Sequence, residues 1–171
     1  MKKMFYFLSL LVVFPACLHS DNYNHEPVNA GDRVFALRAA MGSFAEVQEG
    51  MLVISHSTDT LVISFAKAMI ADHSALLAEL HTITNNLNIG FSDSLDIEHS
   101  VLKSQLMSLS GNAFDSLYIA SRINDYYRMI SLDETEKSMG SNVELQNHAG
   151  NSTRILLHHL KVANALASQY Q

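Results

Sequence analysis

The chain has 171 residues, enough for one domain with a sizeable core, and nearly half of them are apolar. Seventeen acidic side chains outnumber eleven basic ones, which speaks against nucleic acid as a partner and against an electrostatic hold on anionic lipid. Trp is absent, Met is plentiful and charged residues are few, a composition that suits packed helices and identifies no chemistry.

Residues 1–16 read as a signal peptide of the lipoprotein type. Lys2 and Lys3 precede an apolar run from Met4 to Ala16. A membrane span needs about 20 apolar residues, and this run is shorter. The stretch Val13-Phe14-Pro15-Ala16-Cys17 resembles a relaxed bacterial lipobox, with Phe14 where Leu is usual; the lipidated residue would be Cys17. Plain secretion with a cut after Ala16 is the alternative. Cys17 is the sole cysteine, so no internal disulfide forms. Residues 17–30 are polar and read as a flexible tether. Without the leader, nine basic residues face seventeen acidic ones, and any attachment to the membrane comes from acyl chains. The expected location is the periplasm or the outer membrane of a bacterium.

From residue 31 to 170 the sequence predicts an all-α, up-and-down four-helix bundle. Both prolines, Pro15 and Pro27, precede it, and more than 140 residues without Pro favour long helices. Helix one is expected from Asp32, taken as its N-cap, to about Ser55. Helix two is expected from about Thr58 to Asn88. A short extra helix from about Leu95 to Leu109 follows the break "NNLNIGFSDS". Helix three is expected over 113–138 and helix four over 142–168, weakened and kinked near Gly150. Apolar residues recur at three and four, as with Leu61, Phe65, Met69, Leu76 and Leu80, and no stretch alternates as a strand would.

Ionisable residues fall on these apolar stripes. Glu46 shares a face with Phe35, Ala39, Gly42, Gly50 and Val53; His73 falls beside Met69, Leu76 and Leu80. Asp115, Tyr118, Arg122 and Asp125 stack with Met129, and His159 lies with Leu156, Leu160 and Ala163. His158 falls on the solvent side, and His56, His81, His99 and His148 are expected at the surface. Buried charges are costly unless paired or bound to metal. The favoured reading is a buried network in which these groups satisfy one another. The competing reading is a transition-metal site of unknown identity ligated by Glu46, His73, Asp115 and His159, with Asp72, Tyr118, Arg122 and Asp125 in support.

Several chemistries lack their motifs. The Glu-x-x-His of di-iron bundles is absent, since Glu46 is followed by Glu49 and Glu79 by Thr82. There is no Gly-rich phosphate loop and no Gly-x-Ser-x-Gly elbow.

The segments "AEVQEG" at 45–50, "FAKAMIADH" at 65–73, "FDSLY" at 114–118 and "HHLKVANAL" at 158–166 resemble a bacterial family, domain of unknown function 4142, in its order and over about residues 30–169. The resemblance implies a ferritin-like helical bundle in an exported or envelope-associated protein, and supplies no activity. The family's recurring polar positions correspond to Glu46, Asp72, His73, Asp115, Tyr118 and His159. The family commonly has a second Asp-His in helix three; here Asp125 is followed by Tyr126, a poor substitute for an imidazole ligand. His73 is expected inward near Glu46 or Asp115, with Asp72 at the edge of a helix interface.

The functional expectation is an exported, lipid-anchored bundle protein with a buried polar network, non-enzymatic or weakly metal-binding. The alternatives are a metal-dependent oxidoreductase or metal store using the same core, and a module that binds an unknown protein partner in the envelope. The expected partners are the membrane, through the N-terminal anchor, and no nucleic acid.

Overall fold

Asn29 and Asp32 open the first helix as a reciprocal cap. The Asp32 amide donates to Asn29 Oδ1 at 2.8 Å and the Asn29 amide to Asp32 Oδ2 at 2.7 Å. The N-cap is therefore Asn29 rather than Asp32, because the reciprocal pair satisfies two of the helix's free amides at once. The computed structural model describes residues 27–91 and 93–170. The expected signal peptide, Cys17 and most of the expected tether lie outside the described residues.

Five helices follow, with no strand among the described residues: α1 (Ala30–His56), α2 (Thr60–Asn86), α3 (Ile97–Met107), α4 (Gly111–Met139) and α5 (Val143–Ala167). Asp59 rather than Thr58 caps α2, accepting from the amides of Leu61 and Val62. Asn142 caps α5 in the same way. Leu61, expected on the inner stripe, is 54% exposed, and the neighbouring Val62 takes the buried position. α5 runs unbroken through Gly150.

Short turns join α1 to α2 and α4 to α5. α1 packs on α2 and α4, and α5 packs on α4 and α2. The Asn29 amide donates to Ser141 Oγ at 3.2 Å, so the start of α1 meets the end of α4. Both α2 and α4 are thus antiparallel to α1 and parallel to each other. The link between them departs from simple up-and-down alternation: the connection after α2 returns along the bundle, carrying α3 over the α1–α4 groove. This is the connectivity of bundles with one long crossover.

The apolar interior is divided. One cluster gathers Val53, Phe65, Met69, Phe114, Tyr118 and Leu156; the other gathers Phe35, Ala39, Leu80 and Leu145. Along α1 the residues between them include Glu46 and Glu49, along α2 they include His73, and along α5 Ser152 and Thr153. α2 is long and apolar enough to cross a membrane, with mean hydropathy 1.4. It spends that apolarity on the bundle, where Val62, Phe65, Ala66, Met69, Leu76 and Leu80 are buried.

Candidate functional site

Arg122, at 0% exposure, projects from α4 into the bundle. Its Nη1 lies 2.7 Å from Glu46 Oε1 and its Nη2 lies 2.7 Å from Asp125 Oδ2, while Nη2 also donates to Glu49. Helical spacing produces this convergence: Glu46 and Glu49 are one turn apart on α1, as Arg122 and Asp125 are on α4. The Arg122 guanidinium also sits 5.4 Å from the centre of the Tyr118 ring, which packs on Phe65 and Phe114. Asp125 continues outward to Arg128, which reaches Glu98 on α3, and His99 of α3 lies 3.9 Å from the Asp125 carboxylate with its other ring nitrogen 2.8 Å from Asp96, the N-cap of α3.

One guanidinium cannot neutralise three carboxylates in a dry interior. Burial pushes the Glu46 carboxyl up to about 7, against the pull of Arg122, and raises Glu49 in the same way. Burial also raises the Tyr118 phenol, so it stays protonated.

The other expected residues lie apart. His73 is inward and wholly buried, but its ring faces His159, not a carboxylate: the centres are 6.0 Å apart with planes at 26°. It makes no hydrogen bond to Glu46, to Asp115 or to any other described residue. Asp72 stands at the interface edge, 46% exposed, with Oδ2 2.9 Å from His159 Nε2. Asp115 belongs to the far end of the bundle, where Ser57 and Asp59 influence its carboxyl and Tyr170 donates to Asp59 at 2.9 Å. His158 is exposed as expected.

The four residues considered as one metal set are therefore not assembled together. Among the described residues no group of three or more His, Cys, Asp or Glu side chains is placed to hold a metal. The carboxylates that do converge, Glu46 and Glu49, enclose a guanidinium, which supplies the positive charge a metal ion would bring. The donor set does not fit a carboxylate-bridged metal pair.

Several buried polar residues were not anticipated. Glu49 continues the stripe of Glu46 and Gly50 at helical spacing, and that signal was present in "AEVQEG". Asp133 and Glu136 extend the stripe of Arg122, Asp125 and Met129 along α4; burial raises their carboxyls to about 7 and about 8. His148, expected at the surface, is 2% exposed: it shares the inner face of α5 with Leu145, Ala149 and Ser152 and meets Phe35 edge-on at 6.3 Å. Beside the network a cleft of about 460 Å³ opens between α1, α3 and α4, with Leu37, Met41 and Met129 on its apolar side and His99, Asp125 and Arg128 on its polar side.

Comparison with known proteins matches a family model described as a domain of unknown function (DUF4142) to residues 19–166. Among solved structures, a DUF305 fragment from Deinococcus radiodurans matches with TM-score 0.76 and 9% identity, covering 84% of this chain and 99% of that one. At this identity the likeness establishes the fold alone. No curated protein matches.

Proposed function

This chain belongs to the domain of unknown function 4142 family, and we propose that it is an exported, lipid-anchored and non-enzymatic bundle whose central polar residues hold the helices in one arrangement. One observation carries the reading of the core. Arg122, wholly buried, is enclosed by Glu46, Glu49 and Asp125 and ties α4 to α1 where the two apolar clusters part. A buried ion pair of this kind fixes register more than it adds stability. Export and anchoring are supported by Lys2, Lys3, the apolar run to Ala16 and the lipobox-like stretch ending at Cys17.

Two measurements test the proposal. Metabolic labelling with a fatty acid should mark the wild type and not Cys17→Ser, and the variant should leave the membrane fraction. Absence of label on the wild type sinks the anchor. Metal analysis of protein purified without a histidine tag should find no stoichiometric iron, manganese or zinc. A stoichiometric metal that disappears in Glu46→Gln would overturn the structural reading of the network.

A further inference from the structure

Pro27, the first described residue, is fastened to the turn that joins α4 to α5. The Ser141 hydroxyl lies 2.7 Å from the Pro27 carbonyl oxygen, the Ser141 amide donates to Asp32 Oδ1 at 2.9 Å, and Asn29 Nδ2 donates to the Met139 carbonyl at 3.4 Å. The chain therefore enters the bundle at one fixed end, which also holds the close of α4 and the start of α5. Three apolar side chains stand out there. Met139 is 75% exposed, and Val34 and Val143 are each 48% exposed. Val34 and Met139 border one depression between α1 and α4, and Val143 follows Met139 across the turn.

Charge at this end is balanced in an otherwise acidic chain. The exposed charges in the first turn of α1, the last two turns of α4 and the first turn of α5 are Arg33, Glu134, Lys137 and Glu144, two of each sign. Lys137 and Glu134 already pair at 2.7 Å. The remaining acids, Asp32, Asp133 and Glu136, are closed to water. A neutral end with protruding apolar side chains meets no electrostatic barrier at an anionic surface.

We propose that this end of the bundle rests on the bilayer that holds the acyl anchor, with Val34, Met139 and Val143 at the boundary between headgroups and acyl chains. The inference rests on the anchor proposed at Cys17 and gives it an orientation and a contact surface. Reach selects the end. Pro27 is ten residues after Cys17, so the connecting chain spans at most about 35 Å. α1 has 27 residues and is about 40 Å long. An inverted bundle would hold Pro27 farther from the bilayer than the chain can stretch. Apolar side chains are exposed toward the other end as well, Ile54, Leu61 and Met107 among them, so exposure alone does not choose. Interfacial binding scales with buried apolar area, and three side chains are too few to hold a free protein on lipid. A tether makes the contact intramolecular, at an effective concentration on the order of millimolar, so a weak contact suffices.

Cys17 is the sole cysteine, so in the lipidated chain an introduced cysteine is the one free thiol. Met139→Cys, Val143→Cys, Thr58→Cys and Val101→Cys, all at exposed positions, are each labelled with a nitrobenzoxadiazole fluorophore. The full lipidated chain is then reconstituted into phosphatidylcholine vesicles that carry a doxyl-labelled lipid. Emission at 139 and 143 should shift to the blue and be quenched. At 58, on the opposite end, and at 101, on the flank formed by α3, it should stay as in water. Adding Met139→Ser should weaken the blue shift at Val143→Cys; an unchanged shift assigns the contact to the fluorophore and overturns the surface. Vesicle-bound protein with a water-exposed label at 139 overturns the orientation, as does quenching at 101 equal to that at 139, and in both cases the anchor stands. A chain that carries no acyl group and stays free of the vesicles overturns the anchor and this inference together.

Discussion

Arg122 and Glu46 face each other across the α1–α4 contact with 2.7 Å between Nη1 and Oε1, and both side chains are closed to water. The two are not equivalent. Arg122 also serves Glu49 and Asp125, whereas Glu46, raised to about 7 by burial, is largely neutral below that pH. Removing the shared cation strands two buried carboxylates. Arg122→Met is therefore expected to cost about 3–5 kcal/mol. Glu46→Gln at mildly acidic pH replaces a neutral acid with a neutral amide and should cost about 1 kcal/mol. Urea unfolding at pH 6 measures both; equal losses would contradict a neutral Glu46.

The pH profile of stability should fall on its alkaline side. Glu136 is raised to about 8, and Glu46 and Asp133 to about 7, so the folded chain holds protons that the unfolded chain has released. Groups raised in this sense give their full contribution below the unfolded carboxyl values and lose it as pH passes through 7 to 8. His73 has the opposite sign: depressed to about 3, it favours the fold above its ordinary value of 6.5 and loses that as pH drops. Above 6.5 only the carboxylates remain to titrate. The melting temperature should decline from roughly pH 6.5 to 9. Glu136 shares a hydrogen bond with Asp32 of α1, which Asn29 and Ser141 also hold. Glu136→Gln keeps a donor toward Asp32 and should flatten part of the decline. An alkaline limb as steep as that of the wild type would refute its assignment.

How far the sequence revealed the site follows from what periodicity can encode. Steps of three and four placed Glu46, His73, Arg122, Asp125 and His159 on inner faces, and all are buried. The same steps carried no axial height, so Asp115 was grouped with residues that lie toward the middle of the bundle. They also gave no partner: His73 was matched to carboxylates, but its neighbour is another imidazole. The bundle was legible for a simpler reason, since a long stretch without Pro leaves helices the backbone's best choice. Cap positions were harder, because Asn29 and Asp32 are both good capping residues and only their reciprocal bonds decide between them.

Glycines on α1 and α5 should respond oppositely to alanine. A Cβ at Gly50 would stand 2.9 Å from Ile70 Cγ1 and 3.5 Å from the Ala66 carbonyl, where α1 and α2 approach closely. Gly50→Ala is expected to destabilise by about 1–3 kcal/mol. At Gly150, inside α5, nothing lies within 4 Å. Gly150→Ala should stabilise by about 0.5–1 kcal/mol, since alanine restricts the unfolded chain and clashes with nothing. Denaturant midpoints that move in the same direction for both would refute the close helix approach at Gly50.

His73 itself offers the sharpest division between a network member and an unsatisfied imidazole. If it bonded to a buried carboxylate, its loss would strand that partner at about 1–3 kcal/mol. The structure shows no such bond, and the imidazole carries its desolvation uncompensated. Replacing an unsatisfied polar group with an apolar one of similar size is nearly neutral or stabilising. His73→Leu should therefore melt at or above the wild-type temperature in metal-free buffer. His158→Ala, on the exposed side of α5, should melt as the wild type does. A large loss in His73→Leu without metal would mean that His73 holds a partner after all.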